Sequence, residues 1–152
     1  MHLAHYLRLV HTAENRLADA YDRVAADHGD EPDIAHLTRR LAAQCREREQ
    51  AIEPFADDYA KHAPDEPDRL HSDLFGGTRT GGLGLLRDLH DLQLMATECE
   101  IARTVIGQAA YGARDEALLA LVGRSEQQVR GQLRWLRSRI KQAAPQALVV
   151  AA

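Results

Sequence analysis

The sequence predicts an all-α fold, an antiparallel four-helix bundle, and three observations point to it. Apolar residues recur at steps of three and four along four long stretches, the spacing that lines one face of an α-helix. The apolar content is mostly Leu, Ala and Val, with aromatics at only 5%, which suits helix packing better than a sandwich or barrel. The length, 152 residues, suits one domain with a continuous core and is short for two.

The first helix is expected over residues 2–28, where Leu3, Leu7, Val10, Leu17, Tyr21 and Val24 form one stripe. His28-Gly29-Asp30 ends it. A turn at Gly29-Asp30-Glu31-Pro32 opens the second helix, about 33–62, with Asp30 as its expected cap and Pro32 in the first turn, where a missing N–H costs little. Its seam is Ile34, Leu37, Leu41, Cys45, Ile52, Phe55 and Tyr59. Pro54 removes a backbone donor inside this helix and predicts a kink.

Residues 63–82 form the one long irregular segment, with Pro64, Pro67 and the pairs Gly76-Gly77 and Gly81-Gly82; a short helix fits over 68–75. The third helix, about 83–111, carries Leu85, Leu89, Leu92, Met95, Ala96, Cys99, Ala102, Ile106 and Ala110 inward and stops at Gly112. The fourth, about 115–143, carries Leu119, Val122, Val129, Leu133, Leu136 and Ile140, and Pro145 ends it. Residues 145–152 form an apolar tail.

Two short connections make helices 1 and 2, and helices 3 and 4, antiparallel neighbours. The middle connection admits two arrangements. A helix of about 30 residues spans roughly 45 Å and extended chain covers about 3.3 Å per residue, so some twenty residues can run the length of a bundle. A crossover of that kind makes helices 2 and 3 parallel, and a folded-back loop gives up-down-up-down. The crossover is the preferred reading.

Polar residues interrupt the seams at mid-height. The steps of four and three require Glu14 between Val10 and Leu17, Arg48 between Cys45 and Ile52, and Glu126 between Val122 and Val129. On helix 3 the seam residue Cys99 is flanked by Glu98 and Glu100 and followed by Arg103. A buried carboxylate needs a cation, a metal or a proton. The preferred reading is a structural ion layer, with Arg48 bridging Glu14 and Glu126, and with Glu98 and Arg103 beside it. The alternative is a metal site of Glu14, Glu98, Glu100 and Glu126, with His11 as a nitrogen donor.

In this layer the chain resembles the ferritin-like superfamily and looks like a bacterial member of it. The resemblance implies a bundle with a long central crossover and, in the alternative reading, iron held by inward glutamates. It is incomplete: the family's paired Glu-x-x-His is missing. Helix 2 reads Cys45-Arg46-Glu47-Arg48-Glu49 and helix 4 reads Glu126-Gln127-Gln128-Val129, and a guanidinium repels a dication. No cofactor is therefore expected, with iron as the alternative.

Other features have bland readings. Cys45 and Cys99 lack Cys-x-x-Cys spacing and suit apolar filler. His11 falls at the edge of its stripe, and Asp88-Leu89-His90-Asp91 reads as a solvated face. Arg130, Arg134, Arg137 and Lys141 form a basic stripe whose charges complement acids such as Asp19 and Asp22. No nucleophile, phosphate loop or catalytic set stands out. Trp135 lies nearly opposite its seam and needs cover from residues 63–82 or from a second subunit. The tail, with Leu148, Val149 and Val150, needs a groove of its own or a partner's.

A net charge of −4 with interspersed signs argues against a nucleic-acid partner. No long apolar run or leader pattern is seen, which predicts a cytoplasmic protein without a membrane partner. The function expected is non-catalytic, through self-association or a protein partner at Trp135 and the tail. A metal-binding or oxidase bundle and a small-molecule binder are the alternatives.

Overall fold

The structure, a computed structural model, describes residues 2–66, 70, 71 and 73–150. Four long helices account for most of them: α1 Leu3–Asp27, α2 Pro32–Ala60, α3 Gly81–Gly112 and α4 Glu116–Pro145. No strand occurs among the described residues. The expected short helix over 68–75 lies partly outside them, and 70, 71 and 73–75 are irregular. No described helix is long and apolar enough to cross a membrane.

α1 packs on α2 and on α3, and α4 packs on α3 and on α2, a bundle in which two pairs lie diagonally. Two apolar clusters fill it. One joins Leu17, Tyr21 and Val24 of α1 with Ile34 and Leu41 of α2, Leu85, Leu89 and Leu92 of α3, and Leu136 of α4. The other joins Leu3, Leu7 and Val10 with Ile52, Ile106, Leu118 and Leu121. Leu70 packs against the second cluster, whereas Leu74 and Phe75 pack against the first.

The buried stripes of α1 and α3 include every apolar position expected of them. α4 differs. It buries Leu118, Leu121, Ser125, Val129, Gln132 and Leu136, while Leu119 is 38% exposed and Glu126 pairs on the surface with Arg130 at 2.6 Å. Two stripes were open to this helix, sharing Val129 and Leu136. Turning it by one residue replaces Glu126 with Ser125, whose hydroxyl donates to the Leu121 carbonyl at 3.0 Å, so a second carboxylate stays in water.

Helix ends also depart from expectation. The residue before Pro32 is Glu31, in extended backbone (φ −105°, ψ 94°) with no side-chain cap, because proline excludes the helical region for its predecessor. Asp30 is not the cap. Glu31 and Asp33 instead meet Arg139 at 3.2 and 2.8 Å. α4 has a side-chain cap: Asp115 accepts from the Leu118 N–H at 3.0 Å and from the Tyr59 hydroxyl at 2.7 Å. Pro145 does not end α4 before itself; it closes the last turn, and Gln146–Val150 widens into a π-type turn packed on α3 and α4.

Trp135 is partly buried against the first cluster and lines a groove with Leu37 and Leu41 of α2. Two surface expectations change. Asp19 and Asp22 pair with Arg46 of α2 at 3.1 and 2.8 Å rather than with the basic stripe, since the backbone of α1 lies against α2 and α3. Asp88 and Asp91 do not form a solvated face: they are 0% and 3% exposed.

Candidate functional site

Glu14 lies where both its neighbours, α2 and α3, bring a guanidinium to one level. Arg48 donates through Nε to Oε1 and through Nη2 to Oε2, both at 3.0 Å. Arg103 donates through Nε and Nη2 to the same Oε1, at 3.1 and 3.0 Å. The carboxylate thus accepts four N–H bonds, and the three side chains are almost wholly buried. Charge-assisted forks of this kind set register as well as energy.

The glutamines of α4 complete the layer. Arg48 Nη1 donates to Gln128 Oε1 at 3.0 Å. The Gln132 amide, oriented with its oxygen toward Arg48, accepts from Nη1 and Nη2 at 3.1 and 3.0 Å and turns its nitrogen to the Tyr21 hydroxyl at 3.2 Å. Burial works against the Arg48 charge, but the Glu14 carboxylate more than offsets it, so its pKa rises above the ordinary value.

Counting along the helices finds Glu14, Arg48 and Arg103; it does not find Gln128 or Gln132, because the rotation of α4 decides which of its side chains face inward. Glu98 and Glu100 are half-buried and outside the ion pairs, and Glu126 is on the surface. His11 sits 3.5 Å from Glu49. Four of the five candidate ligands therefore stand apart from Glu14's cation partners. Among the described residues no three His, Cys, Asp or Glu side chains gather as a metal site, and Glu14 is occupied by guanidinium groups that oppose a cation.

Cys45 and Cys99 line the layer as free, buried thiols, with Cys45 Sγ 3.2 Å from Arg48 Nη2. Burial first, and then the Glu14 charge, pushes both thiols up. Their native state stays protonated where unfolded thiols ionise, above about pH 8.5. The unfolded chain then binds fewer protons, so stability falls as pH rises. Raising pH from 7.5 to 9.5 is expected to cost roughly 1.4 kcal/mol per thiol, read as a falling urea midpoint. A Cys45→Ala, Cys99→Ala double variant should lose most of that slope; an unchanged slope would show the thiols are not its source.

A second ion cluster lies toward the other end of α1. His28 Nε2 is 2.7 Å from Asp88 Oδ2. Arg79 donates its backbone N–H to Asp88 Oδ2 at 2.9 Å and its Nη1 to Asp88 Oδ1 and Asp91 Oδ2 at 2.9 and 2.8 Å. Thr78 donates to Asp27 beside it. The connection before α3 thus lies over its first turns, at a distance that Gly84 permits: a Cβ there would stand 2.9 Å from the Arg79 carbonyl carbon. Nothing in the local pattern of Asp88-Leu89-His90-Asp91 marks this cover.

No family model, curated protein or solved structure matches the chain. Its functional reading therefore rests on the geometry.

Proposed function

We propose that this chain is a non-catalytic, ferritin-like helical bundle that works by association with a second copy of itself. Antiparallel α1/α2 and α3/α4 pairs joined by a crossover are supported by the two clusters, which pair the start of α1 with the ends of α2 and α3. The positions of Leu70 and of Leu74 and Phe75 against opposite clusters support the crossover. The Glu14 layer then serves as the register device of the bundle, and a cytoplasmic location suits that role.

The observation that carries the association is the outer face of α3. This helix supplies the core and still exposes Leu94, Ile101 and Val105 at 43%, 58% and 38%, at steps of seven and four that make one stripe. A contiguous exposed apolar stripe of this kind is a mark of a contact surface. The stripe runs into an apolar groove between α1 and α3 that includes Leu3, Tyr6, Val105 and Ala109. Toward the start of α3, Leu83 and the turn residues Leu148, Val149 and Val150 are also exposed. A two-fold contact lets such a stripe cover itself, each copy shielding the other.

Sedimentation velocity tests this. The wild type is expected at twice the 16.9 kDa chain mass, and Ile101→Glu with Val105→Glu is expected at the chain mass with unchanged helical circular dichroism. A wild type that sediments as a monomer at about 100 µM, a concentration ample for a micromolar dimer, sinks the reading.

A further inference from the structure

The Glu14 layer holds two guanidinium groups and one carboxylate, a surplus of one positive charge among side chains no more than 4% exposed. Arg48 has acceptors at every nitrogen. Arg103 does not: Nε and Nη2 both turn to Glu14 Oε1, which leaves Nη1 on the far side of the fork, buried and without an acceptor among the described residues. A buried donor without a partner is uncommon in folded proteins and calls for an explanation.

Arg103 also forms part of the wall of a cleft of about 300 Å³ between α3 and α4. The cleft exists because two glycines line it: a Cβ on Gly123 would meet nothing within 4 Å, and one on Gly107 would just touch Val122 at 3.4 Å. Leu119, Val122 and Val129 make its apolar lining. We propose that this cleft binds a small monocarboxylate, its head group paired with Arg103 Nη1 and its apolar body against Leu119, Val122 and Val129. This goes beyond the association reading and uses a different face of α3.

The chemistry selects that class. The planar fork of Arg103 matches a carboxylate, and the head group supplies the negative charge the layer lacks. Glu126 at the cleft is already neutralised by Arg130. Glu100 also lines it and repels a dianion about twice as strongly as a monoanion. Nη1 itself is buried, so the head group reaches it only when a side chain at the cleft wall moves aside.

Thermal unfolding and titration calorimetry with sodium hexanoate provide the test, against sodium chloride and sodium phosphate at equal ionic strength. Hexanoate is expected to give a saturable rise in melting temperature of about 5 °C or more at a hundredfold excess over its dissociation constant, and the two inorganic salts none. Gly123→Leu fills the cleft on a helix that gains propensity, and is expected to fold normally and weaken hexanoate binding at least tenfold. Ile101→Glu, on the association stripe, should bind as the wild type does. The proposal is overturned if hexanoate gives no saturable response, if chloride or phosphate reproduces it, if Gly123→Leu binds unchanged, or if Ile101→Glu abolishes binding.

Discussion

Glu14→Ala is expected to be the most damaging single change in the protein, lowering unfolding free energy by roughly 3–5 kcal/mol. The removed carboxylate accepts four N–H bonds from Arg48 and Arg103, and its loss strands two like charges in the core. For a domain of this size that corresponds to a fall in melting temperature on the order of 10 °C. The cost comes from the stranded cations, and an apolar layer of similar volume carries no such cost. A Glu14→Leu, Arg48→Met, Arg103→Met triple variant is therefore expected to recover most of the stability. Urea unfolding of the wild type, single and triple variants checks both halves. A triple variant less stable than Glu14→Ala would refute the charge argument.

Gly84→Ala is expected to destabilise by roughly 2–3 kcal/mol, although on helix propensity alone it would stabilise by up to about 1 kcal/mol. The new Cβ would sit 2.9 Å from both the carbonyl carbon and the Cβ of Arg79, and backbone cannot yield as a side-chain tip can. Arg79 must then leave Asp88 and Asp91. Arg79 is itself 42% exposed, so solvent screens its side of the pair. Most of the cost lies in uncovering or stranding the two buried carboxylates. Urea unfolding gives the sign, and trypsin cleavage after Arg79 should accelerate as the segment lifts. A stabilised, equally resistant variant would mean that the connection does not press on α3.

Much of the layer was legible in advance because the seams of α1 and α2 have a single apolar stripe each. Glu14 and Arg48 had to fall inside them, and Arg103 followed beside Cys99. Glu126 was misplaced for a definite reason: α4 carries two overlapping stripes, and periodicity does not choose between them. What chooses is the cost of burying another carboxylate, which depends on what the other helices already hold. The same rotation brought Gln128 and Gln132 to Arg48.

Asp88 and Asp91 show the other way local pattern falls short. Their own helix marks them as polar, and nothing near them in sequence reports that Arg79 will lie over them or that His28 will meet Asp88 from the end of α1. Trp135 is similar, since the apolar cluster it packs against draws residues from all four helices.

By itself the sequence determined the four helices, the inward faces of α1 and α3, and the presence of an acid and a base at mid-height. Those follow from helical period, which is a property of neighbours in the chain. Only the tertiary structure decided the rotation of α4, the sharing of Glu14 by two arginines, and the burial of Asp88 beside Arg79 and His28. A charge is satisfied by whatever stands opposite it, and that is set by other elements of the fold.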